Sequence, residues 1–159
     1  MTTEYQRTQE EEAFDRLLDE KRGMLSEDAR SLVGTACHEA YKFNLVNNYA
    51  YQPFEYFMGM EDMVRLSAEL SDHEREILAE IWRAAAMTAA AIDPEDERPA
   101  GHRVYGRDVQ DYYKMMSGMI KEALQPKTER EGEEARVRLW MDFADYEKQI
   151  ERGARLAQE

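Results

Sequence analysis

Cys37 and His38 are neighbours, and together they carry the chain's only thiol and one of its three imidazoles. A thiolate beside an imidazole would make a nucleophile and its base. Adjacent side chains on a helix, however, point about 100° apart. Cys37 also falls on an apolar stripe with Ala36 and Ala40, which points to a structural thiol. Glu69, His73 and Glu76 have the spacing that one continuous helix would align toward a divalent cation. Ser71 and Glu74 interrupt them, because that pair is a capping box that starts a helix and leaves Glu69 outside it. The glutamate-x-x-histidine pair of helical di-iron sites is absent. His102, Arg103, Tyr105 and Arg107 could meet an anion, but they lie on a proline- and glycine-bearing stretch that reads as solvated loop. A glycine-rich phosphate loop, a nucleophile elbow and paired-cysteine zinc spacing are all missing. The expectation is a protein that is not an enzyme, with no catalytic residues, no metal site and no cofactor.

Two other patterns point to binding. Glu11, Asp15 and Asp19 recur at i, i+4, i+8, and so do Asp72, Glu76 and Glu80. Side chains at that spacing stand roughly 5–6 Å apart, and like charges so placed cost a helix about 0.2–0.5 kcal/mol per pair. A negative ridge with this repeat is comparable to the phosphates of a nucleic-acid strand and can occupy a basic groove. The plain alternative is a solvated helix face, which Arg75 and Arg83 partly neutralise. The second pattern is residues 41–63, with Tyr41, Phe43, Tyr49, Tyr51, Phe54, Tyr56 and Phe57 followed by Met58, Met60 and Met63. Tyrosine offers large contact area at low entropic cost and methionine adapts to irregular partners. Tyr49, Tyr51 and Tyr56 are the expected anchors, against the alternative that the segment is an end-cap of the core. A weaker group of the same kind is Tyr112, Tyr113, Met115, Met116 and Met119.

Charge decides what kind of partner fits. The chain has 34 acidic and 21 basic residues, formally −13. Residues 1–20 and 61–80 each hold seven acids and two bases, and 93–97 add four acids, whereas 21–60 balance. No sustained basic face exists to displace counterions, so direct nucleic-acid binding is not expected. A partner protein with a basic surface, such as a nucleic-acid-binding effector, is the electrostatic complement. The acidity would also keep a small protein soluble by itself. The polar, acidic N-terminus lacks the order of a signal peptide, and the longest apolar stretch, 84–92, is far short of the roughly 20 residues that span a bilayer. One cysteine excludes an internal disulfide framework. A cytoplasmic location away from membranes is the expectation.

The elements that must position these residues are helices. With 159 residues, four prolines and few β-branched runs, the chain has the size of one domain and little material for a sheet. The pattern predicts an all-α, single-domain bundle of five to seven helices spanning 1–159, with 1–7 frayed. Helices are predicted over 8–22, from Ser26 to about 43–48, from Pro53 toward Leu70 with Gly59 a weak point, over 71–92, over 108–124, and from Thr128 to about 156. Residues 71–92 read as the central helix: Ile77, Leu78, Ile81, Trp82, Ala85, Ala89 and Ile92 keep a helical period, and the remainder is small enough for neighbours to approach. Asp93-Pro94 stops it. Residues 93–107 then form one long loop.

In size, charge and lack of catalytic motifs the chain resembles the small acidic helical proteins that bacteriophages make against host defences, anti-CRISPR proteins among them. The likeness carries over no residues. It implies a non-enzymatic inhibitor that blocks a basic, nucleic-acid-handling partner, with acidic ridges steering and aromatics anchoring. Two alternatives stand beside it. One is a self-associating subunit or adaptor, with a homodimer through Trp140, Phe143 and Ile150 of the C-terminal helix. The other is a helical enzyme in which Glu69, Asp72 and Glu76 hold a metal.

Overall fold

A computed structural model describes residues 8–46, 52–95, 97–100, 102–125 and 128–144. The chain folds as an all-helical bundle: α1 (Gln9–Arg22), α2 (Glu27–Tyr41), α3 (Pro53–Ser67), α4 (Asp72–Ala91), α5 (Gly106–Leu124) and α6 (Glu129–Phe143). Local chemistry sets the starts. Thr8, Ser26, Ser71 and Thr128 each cap a helix by accepting a backbone N–H three residues on. Pro53 occupies the first turn of α3. At the end of α2 the coil widens into a π-helical turn, Lys42–Val46, where the Asn44 amide donates to the Ala40 carbonyl at 2.9 Å.

α4 and α5 run antiparallel along nearly their whole length. Three side chains tie them: Ser117 Oγ donates to the Trp82 carbonyl at 2.7 Å, Gln110 to those of Ala89 and Ile92, and Arg75 to that of Leu124. The predicted stripe of α4 is buried as read, with Ile77, Leu78, Ile81, Ala85, Ala89 and Ile92 all in the core and Trp82 half-buried. The centre of the bundle is nevertheless the α4–α5 pair rather than α4 alone. α5 also packs on α2, α3, α6 and the π turn, and it buries Met115, Met116, Met119 and Ile120 completely. Unbranched methionine fits the uneven space where several helices meet.

Between α4 and α5, part of the expected loop pairs as a two-stranded antiparallel ribbon, β1 (Glu97–Ala100) with β2 (His102–Tyr105). Val104 and Tyr105 favour extended backbone, and Arg98 pairs with Val104. Gly59 breaks nothing. α3 is continuous through it, and a Cβ there would stand 3.1 Å from Glu39 Cγ, so the glycine lets α2 and α3 come close. Among the described residues no helix is long and apolar enough to cross a membrane.

Candidate functional site

The two helices that carry the acidic stripes pack against each other. Lys21 Nζ lies 3.2 Å from Glu80, and the Ser26 amide donates to Glu74 at 2.9 Å, so the end of α1 meets the beginning of α4 and the two run antiparallel. Asp72, Glu76 and Glu80 lie on α4 and are all exposed; Asp19 is exposed on α1 and lies 3.9 Å from Arg22. Asp15 is half-buried. Glu11 departs from the expected ridge. It is 1% exposed, its carboxylate accepts the Thr8 amide at 2.9 Å, and Thr8 accepts the Glu11 amide in return. This reciprocal cap needs its glutamate folded back on the helix start, so Glu11 offers nothing to a partner. Glu74 does similar work on α4: hydrogen bonds from Ser26 and Ser71 hold its carboxyl below the usual range.

Residues 41–63 divide by helical phase. Tyr56, Met60 and Met63 fall on the inner face of α3 and are fully buried. Tyr56 is therefore a core residue and not a partner anchor. Its ring centre lies 5.1 Å from Phe57, 5.2 Å from Trp140 and 6.2 Å from Phe143, with Phe43 5.7 Å from Trp140. Burial, reinforced by Glu122 and opposed by Arg136, pushes the Tyr56 phenol pKa upward, and its hydroxyl has no hydrogen-bond partner among the described residues. The methionines of the second aromatic group, Met115, Met116 and Met119, are core as well, with Tyr113 at their edge. Tyr49 and Tyr51 lie outside the described residues. The expected pairing face of the last helix is also engaged: Trp140 packs on this aromatic cluster, and a Cβ on Gly118 would meet Phe143 at 3.1 Å. Ile150 lies outside the described residues.

The outer face of the same segment stays in solvent. Tyr41 is 50% exposed, Phe54 61% and Met58 59%. Phe54 and Met58 stand one turn apart on α3 and form one rim of a groove of about 620 Å³. α2 forms the other rim with Ser31, Gly34, Thr35 and His38, and the floor carries Glu39, Glu55 and Lys42. α2 and α3 are antiparallel here, with Lys42 Nζ 3.6 Å from Glu39 and 3.7 Å from Glu55. The α2 rim was not anticipated. Its signal in the sequence is Gly34, a glycine in mid-helix near the small polar residues Ser31 and Thr35.

The nucleophile and metal candidates have little geometry behind them. Cys37 is half-buried; burial pushes its thiol up to about 11, against a hydrogen bond from Tyr112 and the charge of Arg22. It stays a protonated thiol at neutral pH. Glu69 sits in the turn between α3 and α4. No three His, Cys, Asp or Glu side chains are arranged to hold a metal ion among the described residues. His102, Arg103 and Tyr105 belong to β2, and their side chains lie outside the described residues. Comparison with family models, with curated proteins and with solved structures finds no match to this chain.

Proposed function

We propose that this protein is a non-enzymatic binding protein that docks on, and blocks, a partner protein with a basic surface. The observation that carries the reading is the α2/α3 groove, where Phe54 and Met58 stay exposed beside carboxylates. Large exposed apolar side chains grouped at a concave surface favour contact with another protein. The charge of −13 supports a basic partner, and Asp19, Asp72, Glu76 and Glu80 would accelerate its approach. A partner that handles nucleic acid has the surface this charge complements.

A tagged pull-down from bacterial lysate, with and without nuclease, tests this against the variant Phe54→Ser/Met58→Ser. The expected result is nuclease-resistant capture of one basic protein by the wild type and its loss in the double variant. Equal capture by both would remove the groove from the function. Recovery of the bait alone, with a dimeric or larger mass by light scattering, would favour a self-associating subunit instead.

A further inference from the structure

We infer that the α2/α3 groove seats a helix of the basic partner, crossing at Gly34 with an arginine or lysine set over the partly exposed Glu55. This rests on the protein-binding reading and fixes the local structure of what is bound. Its starting point is a pair of glycines. Gly34 and Gly59 both lie inside helices, where glycine is less stable than alanine because it gives up more backbone freedom. For Gly59 the fold supplies the reason, a close approach to the Glu39 side chain. For Gly34 it supplies none: a Cβ there would meet nothing within 4 Å. The bare backbone at Gly34 lines the groove together with Ser31 and Thr35, so a second helix can lie close against α2.

The opposite rim has matching chemistry. Phe54 and Met58, at i and i+4, line the groove at the spacing of one helical turn. Both walls are helices whose backbone groups are bonded within themselves, so an extended peptide finds no strand edge to pair with. An amphipathic helix needs no such edge; it needs a trough and side-chain pockets. The lining of the groove holds the carboxylates of Glu39, Glu55 and Asp62 and the ammonium of Lys42, so its charge is negative on balance. Lys42 stands between Glu39, which is buried, and Glu55, at 3.6 and 3.7 Å. Glu55 also accepts the Gln52 amide with one oxygen at 3.0 Å but, unlike the capping Glu11, stays partly in solvent. Asp62 at the outer end is held by Arg65 at 2.9 Å. A guanidinium offers planar, paired N–H donors that a lysine ammonium lacks, so an incoming arginine complements Lys42.

The test uses the full-length protein and a display library of alanine-scaffold helical peptides with randomised positions on one face. Enriched sequences should carry arginine or lysine one turn from a large apolar residue. A synthetic copy of the enriched peptide should lose at least about tenfold in affinity for Gly34→Leu, and also for Glu55→Gln. Gly34→Ala should raise the melting temperature, and Gly34→Leu should keep it at or above wild type; if the leucine variant does not fold, Thr35→Arg blocks the same rim. Enrichment of acidic or proline-bearing sequences, or affinity that ignores changes on the α2 rim, overturns the inference. Lysate capture lost in Phe54→Ser/Met58→Ser but intact in Gly34→Leu would leave the binding reading standing and remove the helix.

Discussion

The described residues between 41 and 63 yield two surfaces of similar composition and opposite fate. On the inner side, Phe43, Tyr56, Met60 and Met63 are closed off, with Trp140 and Phe143 of α6 packed over the rings. On the outer side, Tyr41, Phe54 and Met58 are each at least half in water, and the last two form the rim of a groove. Residue types do not separate the two sets. What separates them is position along a helix: 56, 60 and 63 share one face of α3, while 54 and 58 share the other. A dense run of aromatics is thus evidence of neither core nor interface until its phase is known.

The largest expected effect breaks the inner surface. Tyr56→Ala empties the centre of the aromatic cluster and should cost about 3–5 kcal/mol in urea or thermal unfolding. Tyr56→Phe should do the reverse of what a functional tyrosine would. Its hydroxyl is buried without a partner among the described residues, so removing it should leave stability equal or raise it by up to about 1 kcal/mol. A clear loss in the phenylalanine variant would mean that the hydroxyl has a partner and that the cluster is built around it.

Much of the fold is legible in the sequence, and the reasons are local. Ser26, Ser71 and Thr128 cap helices where the sequence places them, Pro53 opens α3, and the period from Ile77 to Ile92 marks a buried face. The parts that escape a sequence reading depend on distant residues. The close approach of α2 that Gly59 permits involves Glu39 on another helix, and the many neighbours of α5 are set by tertiary packing. The site is half legible. Thr8-x-x-Glu11 is itself a capping box, a purely local pattern that takes Glu11 out of the acidic stripe. Phasing α3 on Met60 and Met63 likewise turns Tyr56 inward. The pairing of the α2 and α3 rims across the groove has no such local signature.

The next effect sharpens the outer surface. Phe54→Ser/Met58→Ser should change unfolding free energy by no more than about 0.5 kcal/mol, because both side chains are mostly in solvent. The same double variant should lower partner affinity at least about tenfold. A substantial stability loss would make these two residues part of the core and erase the contrast between the faces. A smaller effect tests the contact between α1 and α4: Glu80→Gln removes one partner of the Lys21–Glu80 pair and should cost at most about 1 kcal/mol, declining further in salt.

The acidic residues repeat the same sorting between structure and surface, and pH separates the two kinds. Glu74 accepts hydrogen bonds from Ser26 and Ser71, which lower its pKa from the ordinary 4.5. A carboxyl whose folded pKa lies below its unfolded one contributes stability above the unfolded value, and that contribution is lost as pH falls through the folded value. Glu74→Gln should therefore lower the urea midpoint at pH 7, and the gap from wild type should close as the pH drops below about 4.5. Asp72, Glu76 and Glu80 all stand outward on the same helix, so their neutralisation should slow association with a basic partner more than it alters unfolding. A gap for Glu74→Gln that persists unchanged into acid would show that its carboxylate charge is not what ties the start of α4 to Ser26. The helix-capping acids and the partner-facing acids would then no longer be distinguishable by titration.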